Sequence, residues 1–190
     1  GLNHTGSENH AIFSDYDNDG FLDIYITRDG ENLLYDNVSE GKFEEVSDRA
    51  NVSDKGLGNH ALFFDMDQEG DLDLFLANQH STRPYRNNGD KTFKDISPVI
   101  SFGSDESGCM DAVFSDFDDD GDVDIFMINE NGIHRLYFNQ RDGNFSDVTG
   151  SSGLNNRGNS KKVACGDYNN DGYEDLFIIR KDQNPLLYKN

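Results

Sequence analysis

Basic residues are scarce in this chain of 190 residues, 16 Lys and Arg against 37 Asp and Glu. That shortage argues against nucleic acid and anionic membrane as partners, because both are gripped through clustered Lys and Arg. Long apolar runs are missing too. Nothing approaches the roughly 18 consecutive apolar residues that cross a bilayer, and the start, GLNHTGSENH, is neither basic nor apolar in the manner of a secretion signal. A soluble chain without membrane insertion is expected. Cysteine is nearly absent: Cys109 and Cys165 allow one optional bridge and exclude a disulfide framework. No Gly-rich phosphate loop occurs, no Ser, Cys and His recur in a triad-like pattern, and no stretch keeps a helical period. No catalytic residue is therefore assigned.

What is present is acid and aromatic surface. A formal charge of -21 alone would suggest a disordered tail, but 14 Phe and 8 Tyr supply core material for a folded domain. The charge is organised by a repeat. SDYDNDGFLDIYIT recurs as FDMDQEGDLDLFLAN, SDFDDDGDVDIFMIN and GDYNNDGYEDLFIIR, with first acidic residues Asp15, Asp65, Asp116 and Asp167 spaced by 50, 51 and 51. Tyr35, Tyr85, Tyr137 and Tyr188, in LLYDN, RPYRN, RLYFN and LLYKN, keep the same beat. A third landmark, KFEEVS, TFKDIS and NFSDVT, appears three times.

Each repeat holds four short β-prone segments divided by Gly, Asn and Asp clusters, in the first copy His10 to Phe13, Leu22 to Thr27, Asn32 to Tyr35 and Lys42 to Ser47. Four strands per roughly 50 residues predict an all-β fold of β-propeller blades with antiparallel strands. The repeats are expected at 1–50, 51–101, 102–152 and 153–190, one propeller domain or part of one, with the last blade lacking its outer strand. Exposed blade edges would favour further blades or a second copy as completing partner.

Oxygen ligands on alternate residues followed by Gly suit a hard cation, and calcium fits best. In the first copy Asp15, Asp17, Asp19 and Asp23 would give side chains and Phe21 its carbonyl. The equivalent sets are Asp65, Asp67, Glu69, Asp73 with Asp71 as carbonyl; Asp116, Asp118, Asp120, Asp124 with Asp122; and Asp167, Asn169, Asp171, Asp175 with Tyr173. About four Ca²⁺, one per repeat, are expected. Without metal, carboxylates about 5 Å apart repel by roughly 3 kcal/mol per pair at an effective dielectric near 20. An EF-hand is excluded because its twelfth position needs a bidentate Glu, where this chain has Ile26, Leu76, Met127 and Ile178.

The loop DxDxDGxxD within a blade of the form GLN…HAIFSDYDNDGFLDIYIT…NLLYDN…GKFEEVS resembles the FG-GAP and VCBS repeats of integrin α-subunit propellers and cartilage-acidic-protein-like secreted proteins. The resemblance covers the whole chain. It implies a calcium-binding extracellular or cell-surface module for adhesion or for recognition of a protein or glycan. Alternatives are a scaffold part of a polysaccharide-active enzyme and a structural subunit assembling through unpaired blade edges. Glu69 and Asn169 depart from the aspartate pattern. Sequons at Asn3, Asn37, Asn51 and Asn144 are compatible with secretion as a glycoprotein. His10, His60, Asp111 and Lys162 share one repeat position, predicted to ring a central channel, either binding a polar ligand or solvating its mouth. Arg28, Asn78, Asn129 and Arg180 share another, a candidate variable recognition face or ordinary loop solvation.

Overall fold

The computed structural model describes residues 5–100, 102–103, 108–129, 132–141, 143–154 and 159–190. Its regular elements are all strands, in four antiparallel sheets of consecutive strands. Blade one comprises β1 (Glu8–Ser14), β2 (Asp23–Arg28), β3 (Leu33–Ser39) and β4 (Lys42–Glu45). Blade two comprises β5 (Gly58–Phe64), β6 (Asp73–Asn78), β7 (Thr82–Asn87) and β8 (Phe93–Asp95). Blade three comprises β9 (Cys109–Ser115), β10 (Asp124–Asn129), β11 (Arg135–Asn139) and β12 (Phe145–Asp147). Blade four comprises β13 (Ser160–Gly166), β14 (Asp175–Arg180) and β15 (Leu186–Tyr188). The predicted β-propeller blades are present, and each acidic loop joins the first strand of a blade to the second.

The second strands read as unbroken apolar runs, and in β6 and β10 both faces are covered by neighbouring blades. In β6, Leu74 and Leu76 pack with Tyr25 and Leu34 of blade one, whereas Phe75 and Ala77 pack with Ile125 and Met127 of blade three. In β10 the other face, Phe126 and Ile128, meets Leu176 and Ile178 of blade four. Blades two and three are thus each a slab between two others, and the core lies in three layers between consecutive blades. Burying a Leu, Ile or Phe side chain contributes about 1.5–3 kcal/mol, so the interfaces carry most of the apolar stabilisation. The first strands pack side by side, β1 on β5, β5 on β9 and β9 on β13.

Blade four shows what an uncovered face looks like. Phe177 and Ile179 follow Asp175 as Phe126 and Ile128 follow Asp124, yet they are 42% and 47% exposed where Phe126 and Ile128 are fully buried. Leu187 on β15 is exposed beside them. The cysteines are both free thiols, Cys109 buried and Cys165 half-buried, so the optional bridge is not formed. Asn3 lies outside the described residues. Asn37 is buried, its amide donating to Leu22 O and accepting from Gly41 N, which leaves Asn51 and Asn144 as the sequons exposed on this surface.

Candidate metal centre

Each loop is wound around its first aspartate. Asp15 accepts Asp19 N on Oδ1 and Gly20 N on Oδ2, both at 3.0 Å. Asp116 and Asp167 repeat the pair of bonds, and Asp65 repeats the one to its glycine. The turn then needs two residues with positive φ, one on either side of the loop's fifth residue. Asn18, Gln68, Asp119 and Asn170 stand near +60°, and Gly20, Gly70, Gly121 and Gly172 at 91–93°. Such φ is open to glycine, and Asn and Asp tolerate the left-handed region better than other side chains. The sequence signal for the first of these positions was the Asn or Asp before the loop's fifth residue in loops one, three and four, where loop two has Gln68.

This winding gathers carboxylates. Asp15, Asp17 and Asp19 each offer an oxygen within 4.8 Å of the others, as do Asp65, Asp67 and Asp73, and Asp116, Asp118 and Asp124. Ligands at about 2.4 Å from one Ca²⁺ can be at most about 4.8 Å apart, so three loops can hold such an ion. Asp65 Oδ1 is buried and accepts no hydrogen bond, an arrangement a cation would satisfy. Burial pushes the Asp73 carboxyl up to about 7 and those of Asp23 and Asp124 up to about 6, against two backbone N–H donors on each that pull them down. Burial, then Asp120 and Asp116, also raise Asp118. A nearby cation would relieve all four.

Other predicted ligands stand elsewhere. Asp23, Glu69 and Asp120 fall outside the three carboxylate sets. The fourth loop forms no such set among the described residues: Asn169 donates to Asp175 Oδ2 at 3.2 Å, and Lys189 Nζ lies 2.8 Å from Asp171 Oδ2. That ammonium holds the Asp171 carboxyl below the usual range. The side chains of Asp71 and Asp122, expected to contribute only carbonyls, have work of their own. Asn18 donates to Asp71 Oδ1 at 2.9 Å, and Gln68 donates to Asp122 Oδ1, so neighbouring loops are tied together. Phe21 and Tyr173 donate backbone N–H to Asp19 and Asp171 within their loops.

The closing aspartates are staples as well as candidate ligands. Asp23, Asp73, Asp124 and Asp175 accept the N–H of Tyr16, Met66, Phe117 and Tyr168 on one oxygen, and of Asn37, Asn87, Asn139 and Asn190 on the other. Those four asparagines end the landmark of the recurrent tyrosine, and the sequence reading gave them no structural role, Asn37 entering it only as a sequon. Asn87, Asn139 and Asn190 donate their amides to Tyr16 O, Met66 O and Phe117 O of the preceding blade, at 2.8, 2.9 and 2.8 Å. The acidic loop is thereby bonded both to its own third strand and to the next blade. The recurrence of Asn beside the recurrent Tyr was the available signal.

At the first strands, the structure brings His10, His60, Asp111 and Lys162 into one line. The two imidazoles meet edge to face at 4.0 Å, His60 Nδ1 is 2.8 Å from Asp111 Oδ1, and Lys162 Nζ is 3.5 Å from the same oxygen. They border an open cavity of about 400 Å³. Burial, with His60 and Lys162, pushes His10 down to about 4. Burial would raise Asp111, but His60, Val163 N–H and Lys162 outweigh it and hold the carboxyl low. The proposed recognition face fares differently. Asn78 and Asn129 are buried, bonded to Asp54 and to Ile133 O, and Arg28 and Arg180 close over Glu31 O and Asn184 O of their own turns. Arg28, Asn129 and Arg180 hold turns, their backbone carbonyl partners lying three or four residues away, while Asn78 reaches the Asp54 carboxylate from 24 residues along the chain.

The FG-GAP-like repeat family matches the chain three times, over residues 15–76, 65–127 and 116–178. No curated protein matches it significantly. Among solved structures, an Agrocybe aegerita lectin, described in its recognition of non-reducing terminal N-acetylglucosamine, aligns at 21% identity with TM-score 0.56, over 87% of this chain and 45% of that one. A Photorhabdus luminescens Tc holotoxin pore aligns at 16% identity with TM-score 0.52, over 92% of this chain and 8% of that one. This chain therefore spans less than half the length of either.

Proposed function

Since the chain belongs to the FG-GAP-like repeat family, we propose that it is a calcium-stabilised β-propeller module of the extracellular space that recognises a protein or glycan and performs no chemistry of its own. The observation that carries the reading is that the acidic loops of three successive blades each gather three carboxylates within 4.8 Å, the loop's first and third residues joined by the fifth in loop one and by the ninth in loops two and three. The residues that would hold the ions are Asp15, Asp17 and Asp19; Asp65, Asp67 and Asp73; and Asp116, Asp118 and Asp124. Bound calcium would neutralise the loop carboxylates and, by binding only the folded state, stabilise it by mass action. The chain's own residues do the rest: the first aspartate and the glycine shape the turn, the closing aspartate ties it to the third strand, and the asparagine ties it to the next blade.

Glycans enter as a ligand class through the lectin of like fold, and the cavity bordered by His10, His60, Asp111 and Lys162 is the place from which to begin. Binding of the chain to a glycan array, in calcium and in chelator, tests the recognition reading. Calcium-dependent capture is expected, whereas turnover of a glycan that is lost on changing His10 or His60 would overturn it in favour of an enzyme. The uncovered Phe177, Ile179 and Leu187 favour a second reading alongside the first, in which another blade packs on that face. Light scattering tests this: association that grows with concentration and disappears in Phe177→Glu supports it.

A further inference from the structure

Loop one carries an ammonium group supplied by the next blade. Lys91, in the turn between β7 and β8, places Nζ against Asp17 Oδ2 and 3.4 Å from Asp36 Oδ2, and both carboxylate side chains are 1% exposed. The contact does not rest on a freely sampling side chain alone. Lys91 stands at φ 68° in a turn held by Gly89 N on Asn87 Oδ1 and Thr92 N on Asp90 Oδ1. The repeat shows why blade one needs it. The residue after the landmark tyrosine is Lys189 in blade four, where it neutralises Asp171 of its own loop, but in blade one it is Asp36, which adds a charge. Loop two, among the described residues, has no Lys or Arg in ion-pair contact with Asp65, Asp67 or Asp73.

Resting on the calcium reading, we propose that Lys91 is a tethered counter-ion of loop one, which stabilises the metal-free loop and must leave Asp17 for a divalent cation to bind. An ammonium in contact with a ligand oxygen cannot share that oxygen with Ca²⁺ without strong repulsion at this distance. Loop one is therefore a weaker site than loop two, and filling it breaks a contact between blades one and two. The other half of the ion pair, Asp36, stays to receive the released ammonium, together with Arg49 at 3.5 Å.

Calcium titration of the full chain by calorimetry, together with melting in chelator, tests the proposal on wild type, Lys91→Gln, Lys91→Arg and, as a surface control, Lys55→Gln. Lys91→Gln should tighten one class of site about tenfold, the worth of a charge-assisted contact, while lowering the melting temperature in chelator. Lys91→Arg, which keeps the charge, and Lys55→Gln should stay near wild type. Wild type that binds calcium and a Lys91→Gln variant that binds it no better, or more weakly, would overturn the proposal. A wild type that takes up no calcium would instead remove the reading on which it rests. Circular dichroism in calcium shows that each variant is folded.

Discussion

Replacing Asn139 by alanine removes the tie between blades two and three without touching a candidate metal ligand. Its amide donates to Met66 O at 2.9 Å and Val123 O at 3.3 Å, its carbonyl accepts Arg141 N at 3.1 Å, and the residue is 2% exposed. A neutral hydrogen bond contributes about 1 kcal/mol net, and a buried group left without its partner costs about 1–3 kcal/mol. With Met66 O buried under the blade interface and the other two bonds nearer water, the expected loss is about 2–4 kcal/mol. For a chain of this size each 1 kcal/mol moves the midpoint by roughly 2–4 °C, giving a fall of about 5–15 °C. Urea unfolding and thermal melting read it directly. Asn88→Ala is the control, because its amide meets only Thr92 Oγ1 at the surface, and a change within about 0.5 kcal/mol is expected. The deficit of Asn139→Ala should appear in both calcium and chelator. If it too stays within about 0.5 kcal/mol of wild type, the asparagine is not the inter-blade tie described here.

Three further outcomes follow from particular residues. Phe126→Ala should cost about 3–5 kcal/mol by chemical denaturation, whereas the equivalent Phe177→Ala, starting 42% exposed, should cost far less; equal costs would refute the assignment of covered and uncovered faces. Gly108→Ala should be severely destabilising, since its Cβ would fall 1.5 Å from Gln79 O at φ +62°, while Gly41→Ala, with nothing within 4 Å, should cost about 1–2 kcal/mol of backbone strain, both read by melting. In chelator, Asp73 is raised to about 7, so between its unfolded value near 4 and pH 7 the folded state holds a proton that the unfolded state has lost. Stability therefore falls as pH rises through that window, by up to about 4 kcal/mol from this group. His10 and His134, held down to about 4, act oppositely below pH 6.5, and Asp23 and Asp124, raised to about 6, add to the fall, so the comparison is Asp73→Asn against wild type, the variant lacking only the part of the decline that Asp73 contributes.

How much of this was legible in the sequence depended on whether the cause was local. The blade repeat, the order of strands and the loop glycines could be read because each rests on a few adjacent residues with distinctive conformational needs. Strand ends moved by one to four residues: β1 begins at Glu8 rather than His10, and β3 runs on to Ser39 rather than Tyr35. Those extensions are made by pairing with the neighbouring strand, which propensity does not report. The closing aspartates illustrate the harder case. Asp73 was visible as an oxygen donor, but its bond to Asn87 N, fourteen residues on, and the bond from Asn87 to Tyr16 O in another blade exist only once the sheets are stacked. Asn78 and Asn129 read as a candidate recognition face or as loop solvation, and they are buried because the fold brings the Asp54 carboxylate and Ile133 O to them. Lys91 sits in an ordinary polar turn by sequence, and only the packing of blade two on blade one brings it to Asp17.

The most direct test of the account is a melting curve of the wild-type chain at neutral pH with saturating calcium and then with excess chelator. Three filled sites should raise the midpoint by several degrees or more, with the gain growing as free calcium rises above the dissociation constant, since each site at 100 times that constant adds about 2.7 kcal/mol. Superimposable curves in calcium and chelator would contradict the claim that these loops hold the blades together around a metal ion.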